Sequence, residues 1–148
     1  MKLTLFTDYS MRVLLYLGAR PERLCSIAEV AQGYRISNNH LMKVVNQLAR
    51  EGYIESVRGR SGGIRLGRAP EDINLGALIR TTEDGFDLVD CGGCVVAPAC
   101  GVTGVLGEAL GAFLAVLDRY TLADMLTPHL RLRELLLMDV TPVAEPAA

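Results

Sequence analysis

Gly33-Tyr34-Arg35-Ile36-Ser37-Asn38-Asn39-His40-Leu41-Met42-Lys43-Val44-Val45-Asn46-Gln47-Leu48 is the stretch that decides the fold. Gly33 to Ile36 reads as a short turn, and a helix opens at Ser37. Leu41, Val44, Val45 and Leu48 recur at helical spacing and form one apolar stripe. Ser37, Asn38, Asn39, His40, Lys43 and Gln47 fall on the other face, rich in hydrogen-bonding groups over its first turns. Such side chains at the start of a helix suit the reading of base edges in a major groove. Gly52 follows the helix as its C-terminal cap.

Upstream, Ser26-Ile27-Ala28-Glu29 is a capping box that starts a preceding helix, which Gly33 closes. Before it, Phe6, Tyr9, Val13, Tyr16 and Leu17 follow helical spacing in a first helix that Pro21 ends. Downstream, two β-like runs, Tyr53-Ile54-Glu55-Ser56-Val57 and Ile64-Arg65-Leu66, flank Arg58-Gly59-Arg60-Ser61-Gly62-Gly63. That reads as a hairpin with a basic tip, whose Arg58, Arg60 and Ser61 can approach phosphates or a minor groove. Helix, helix, turn, helix and hairpin is the order of a winged helix-turn-helix. The predicted fold is mainly α with a small β-hairpin.

Asn74 caps a fourth helix with Leu75, Leu78 and Ile79 on one face. A cysteine-bearing loop follows, then a long apolar helix from Thr103 to Tyr120, and a short helical turn from Thr121-Leu122-Ala123-Asp124. The expected divisions are a DNA-binding domain at 1–83, a cysteine loop at 84–102, a dimerisation helix with a C-terminal helical segment at 103–138, and a disordered tail at 139–148.

Composition narrows the function class. Half of the 148 residues are apolar, enough for a core. The longest apolar run, Val102 to Leu117, carries Glu108 and three glycines and is too short for a membrane span. With no signal-peptide pattern at the start, the expectation is a soluble cytoplasmic protein. Net charge is −2, but the average hides an asymmetry. Residues 1–70 hold eleven Lys and Arg against five Asp and Glu, a balance of +6, whereas residues 71–148 hold four against twelve, a balance of −8. The basic half suits a polyanionic partner. Neither His40 nor His129 sits in a nucleophile pattern and no nucleotide-binding glycine motif is present, so no enzyme is expected.

Three of the four cysteines, Cys91, Cys94 and Cys100, lie within ten residues. In a chain of the cell interior that points to metal or redox chemistry more than to disulfides. Spacing alone leaves an iron–sulfur cluster, zinc and a thiol switch open, and three thiols are one ligand short of either metal site.

With these residues in view, the chain resembles the family of winged-helix regulators that contains IscR, and within it the nitric-oxide-sensing iron–sulfur repressors. The similarity covers about residues 1–138 and is strongest over Leu3 to Tyr9, Asn39 to Leu48, Val57 to Gly67, Pro98-Ala99-Cys100 and Tyr120 to Asp124. The resemblance implies a homodimer with one iron–sulfur cluster per subunit, a [4Fe-4S] cluster with [2Fe-2S] as the alternative. Its ligands would be Cys91, Cys94 and Cys100, completed by Asp8 of the partner subunit, with Arg12 one turn on orienting that carboxylate. Two 103–120 helices would pair antiparallel, setting two recognition helices about 34 Å apart on palindromic double-stranded DNA. Nitric oxide is the implied effector, releasing DNA and derepressing genes for its own detoxification. The alternatives are an IscR-like redox-responsive regulator and a zinc or thiol-switch winged-helix regulator. The IscR branch uses a histidine shortly after the third cysteine; here Gly101-Val102-Thr103 follows Cys100, and the next histidine is His129. Only two residues separate Cys91 and Cys94, fewer than the family's usual four or five, so the loop must turn tightly at Gly92-Gly93.

Overall fold

The computed structural model describes residues 2–127 and 129–138; the expected disordered tail lies outside the described residues. Helix α1 spans Leu5–Gly18, and its Thr4 cap accepts a hydrogen bond from the Thr7 N–H at 3.2 Å. Helix α2 spans Ile27–Tyr34. Its capping box forms as the sequence indicates: Ser26 Oγ accepts from the Glu29 N–H, and the Glu29 carboxylate accepts from the Ser26 N–H, both at 3.0 Å. The end of α2 differs from expectation. Gly33 is inside the helix, and Arg35, at φ 54°, takes the left-handed position that ends it. Gly33 serves packing instead, because a Cβ there would stand 3.2 Å from the Tyr16 ring.

Helix α3 spans Asn38–Arg50. It stops where predicted, in a Schellman arrangement: Tyr53 N–H donates to Leu48 O at 2.9 Å and Gly52 N–H to Ala49 O at 3.1 Å. Gly52 carries the left-handed φ of +78° that this geometry needs. Leu41, Val44, Val45 and Leu48 are at most 2% exposed and pack with Val13, Leu14, Leu17 and Val30 in one core.

Strands β1 (Ile54–Val57) and β2 (Gly63–Leu66) pair antiparallel with Ile54 opposite Leu66. Ile54 and Ile64 point into the core. The segment before α2 joins this hairpin: Cys25 N–H donates to Ile64 O at 3.0 Å, and Ile64 N–H to Cys25 O at 2.8 Å. The wing is thereby stitched to the start of α2, two helices away in sequence from its own strands.

Helix α4 (Leu75–Thr82) is capped by Asn74, whose Oδ1 accepts from the Ala77 N–H at 3.0 Å. Helix α5 spans Val102–Leu117, one residue earlier at its start and three earlier at its end than the 103–120 expected. The chain tightens past Leu117, with Arg119 N–H on Val116 O and Tyr120 N–H on Leu117 O, and Asp118 to Tyr120 also have partners outside the helix. Arg80 pairs with the Asp118 carboxylate, and Asn74 Nδ2 donates to the carbonyls of Asp118 (2.7 Å) and Tyr120 (3.3 Å). Leu75 N–H then donates to Tyr120 O and Leu122 N–H to Ile73 O. Helix α6 (Leu122–Leu126) packs on α1, and helix α7 (His129–Met138) on α2. Leu122, Leu126 and Leu136 join the same core as α1, and Arg133 pairs with Glu22 at 2.6 Å. The sequence groups these helices with α5; their side chains belong with the DNA-binding half.

The architecture is mainly helical with one two-stranded hairpin, a winged helix-turn-helix from which α5 projects. No described helix is long and apolar enough to cross a membrane. Asn74 both caps α4 and fastens the end of α5. Asn74→Ala should therefore lower the free energy of unfolding by about 1–2 kcal/mol in a urea titration.

Candidate nucleic-acid interface and metal centre

The core-facing stripe of α3 leaves its opposite face in solvent. Ser37, Asn38, Asn39, His40 and Lys43 are exposed and Gln47 is half-buried. Ser37 stands at the N-cap position but its hydroxyl makes no capping bond. Three exposed residues on this helix are not among those singled out in the sequence, Met42, Asn46 and Arg50. Asn46 was legible, since it lies three residues after Lys43 and seven after Asn39, on the same helical face. At the wing, Arg58, Arg60 and Ser61 are all exposed at the tip of the hairpin.

The basic half is less free than its +6 balance suggests. Arg20 is buried, its guanidinium 3.8 Å above the Tyr16 ring. Arg23 pairs with Glu29 at 2.7 Å and Arg65 with Glu55 at 2.9 Å across the hairpin. Arg68 donates to the carbonyls of Glu51 and Gly52 and covers Tyr53. These cations build the fold. Lys43, Arg58 and Arg60, the three basic residues singled out in the sequence for DNA, have no ion-pair partner among the described residues. That distribution concentrates the available charge on α3 and the wing tip.

The cysteine loop runs between α4 and α5. Cys91-Gly92-Gly93-Cys94 closes as a tight turn, with Cys94 N–H donating to Cys91 O at 3.2 Å. Gly93, at φ +86°, occupies the position at which a type II turn requires positive φ. A 3-10 turn over Ala97–Ala99 leads into Cys100. All three thiols are free; Cys91 and Cys100 are half-buried and Cys94 is exposed. Cys91 Sγ lies 3.6 Å from Thr103 Oγ1 at the start of α5. An open groove of about 600 Å³ runs beside it, lined by Phe86, Leu88, Asp90, Cys91, Thr103 and Leu106.

Asp8 sits on the outer side of α1, and Arg12 holds it as the sequence suggests. Arg12 Nε lies 3.1 Å from both carboxylate oxygens and Nη2 3.0 Å from Oδ2. The hydrogen bond to Asp8 pushes the Arg12 guanidinium further up from its ordinary value. The pair is solvent-exposed, and i,i+4 pairs of this kind contribute only about 0.3–0.5 kcal/mol, so Arg12 aims the carboxylate without locking it. Asp8 lines a separate shallow groove with Lys2, Leu3, Leu5 and Met11. Among the described residues of one chain, no three His, Cys, Asp or Glu side chains come close enough to hold a single metal ion. The donor set nonetheless suits iron: three free thiols on a glycine-bearing loop, with an oriented carboxylate elsewhere on the same chain.

Cys25 is not part of this set. It is 1% exposed, its backbone is paired with Ile64, and burial pushes its thiol up to about 11.

A winged helix-turn-helix with a polar recognition face and a cationic wing, joined to a thiol-bearing loop, defines a DNA-binding regulator of the winged-helix class. The chain belongs to the Rrf2 family, described as iron-dependent transcriptional regulator, whose profile spans residues 3–128. The HTH-type transcriptional regulator NsrR of Bacillus subtilis is 56% identical over 131 residues, covering 84% of this chain and 90% of its own. NsrR of Bacillus licheniformis is 51% identical over 142 residues, covering 92% and 99%. Among solved structures, CymR (YrzC), the global cysteine regulator of B. subtilis, superposes with a TM-score of 0.71 at 28% identity, covering 84% of this chain and 95% of its own. T. potens IscR, at 24% identity and a TM-score of 0.70, covers all of this chain and 94% of its own and shares the fold.

The buried Cys25 has a consequence in alkali. A thiol held neutral in the fold stabilises it below the unfolded-state pKa, and that stability is lost as pH rises toward the folded value. Unfolding midpoints should fall between about pH 9 and about 11, and Cys25→Ala should flatten that fall. In the native apo-protein at pH 8, iodoacetamide followed by mass spectrometry should modify Cys91, Cys94 and Cys100 and spare Cys25.

Proposed function

We propose that the chain is a homodimeric transcriptional repressor of the cytoplasm. It binds a palindromic operator in double-stranded DNA and releases it when nitric oxide acts on a bound iron–sulfur cluster, thereby derepressing genes for nitric oxide detoxification. The observation that carries this reading is the placement of three free thiols on the loop that joins the winged-helix core to α5. The NsrR relatives and the iron-dependent description of the family support it.

Cys91, Cys94 and Cys100 of one subunit and Asp8 of the partner subunit would hold the cluster, as [4Fe-4S] or alternatively [2Fe-2S]. Bound there, it supplies iron that reacts with nitric oxide. The remaining work belongs to the chain. Helix α5 has no buried residue, and its Val102, Val105 and Val116 are exposed. An apolar helix of this kind needs a partner, and a second α5 packed antiparallel would cover it. Asp8 then ties the loop of one subunit to α1 of the other. Because α1 packs directly on α3, that tie sets the spacing of the two recognition helices. When the tie is broken, Arg12 still satisfies the carboxylate, so α1 can move without stranding a bare charge. An IscR-like ligand set would call for a histidine shortly after the third cysteine, where this chain has Gly101-Val102-Thr103.

Protein purified without oxygen should be brown, with roughly four irons and four sulfides per chain. Nitric oxide should bleach it and abolish operator binding in a mobility-shift assay. A colourless protein that stays free of iron after anaerobic reconstitution overturns the cluster. Asp8→Ala should shorten cluster lifetime or alter the nitric oxide response; wild-type behaviour on both counts would exclude the cross-subunit ligand. Arg58→Ala and Arg60→Ala should each weaken binding across DNA sequences and flatten the slope of log affinity against log salt by about 0.9.

A further inference from the structure

The recognition face of α3 holds one side chain of the wrong polarity for a solvated surface. Met42 is 44% exposed, on a helix whose other outward positions include Asn39, Lys43 and Asn46. It is not needed inside, because Leu41, Val44, Val45 and Leu48 already close the core side of α3. Asn39 and Asn46 lie three residues before and four after it, so they border it on the helix surface. No acidic residue lies within α3.

In a major groove, the one apolar group that a base edge offers is the C5-methyl of thymine, and amide side chains read adenine through N6 and N7. An unbranched thioether between two amides matches that pattern, and its flexibility lets it settle against a methyl without exact placement. We infer that Met42 is a specificity-determining residue that packs on the C5-methyl group of a thymine in each half-site. This rests on the DNA-binding reading above and deepens it. It distinguishes Met42 from Lys43, Arg58 and Arg60, whose charge serves phosphates as well as bases.

The test uses full-length protein prepared without oxygen and duplexes enriched from a random-sequence pool. Each thymine of the enriched site is replaced in turn by deoxyuridine, which removes only the methyl group. At one thymine per half-site the wild type should lose about fourfold in affinity, the worth of one buried methyl group. Met42→Ala should bind the unmodified duplex more weakly by a similar factor and be indifferent to deoxyuridine there. Met42→Leu should keep the sensitivity, and it decides the matter if the alanine variant folds poorly. The inference is overturned if no thymine is methyl-sensitive in the wild type, or if Met42→Ala loses as much as the wild type at the sensitive position. If no duplex is enriched at all, the DNA-binding reading itself fails.

Discussion

The pairing of Ile73–Leu75 with Tyr120–Leu122 closes a long excursion of the chain upon itself. Two backbone hydrogen bonds and the Asn74 amide fasten its ends, and Arg80 with Asp118 adds a charged clasp beside them. The cysteine loop and α5 both lie inside that excursion. They project from the winged-helix core, so the Cys94 thiol is exposed, those of Cys91 and Cys100 are half-buried, and the apolar helix is left uncovered. A unit held at its base and open at its tip can receive a ligand and a second subunit without rebuilding the core that reads DNA.

The winged-helix half engages five of the eleven cationic side chains of residues 1–70 in its own structure. Arg12, Arg20, Arg23, Arg65 and Arg68 are committed to carboxylates, carbonyls or aromatic faces. Exposed pairs of this kind stabilise little, but they remove charge from the sides of the molecule. Lys43 on α3 and Arg58 and Arg60 at the wing tip stay exposed and without an ion-pair partner among the described residues, where a polyanion would lie. A half-chain charge balance therefore points to the right partner while overstating how many residues meet it.

The local structure around α3 was readable because short-range chemistry sets it. Ser26 with Glu29, Asn74 with Ala77, and Gly52 after α3 are contacts within a few residues, and each forms as its spacing indicates. The stripe of Leu41, Val44, Val45 and Leu48 follows from helical period alone. The Asp8–Arg12 pair is likewise one turn of helix. The tight loop between Cys91 and Cys94 was legible too, because Gly92-Gly93 permits the turn that two intervening residues demand. Where the reading slipped, a distant partner was acting. Gly33 lies within α2 against the Tyr16 ring, and the carbonyls of Asp118 and Tyr120 past the end of α5 accept from Asn74 while Arg80 pairs with Asp118.

The sequence by itself determined the order of elements, the N-caps of α2 and α4, the C-terminal cap of α3, the inward and outward faces of α3, and the spacing of three cysteines on one loop, because these depend on neighbours a few bonds away. Only the tertiary structure decided that Cys25 is a core residue, that α6 returns to α1 and α7 to α2, and which arginines are already engaged. Burial and ion pairing join residues far apart along the chain, and no local pattern records which of them will meet.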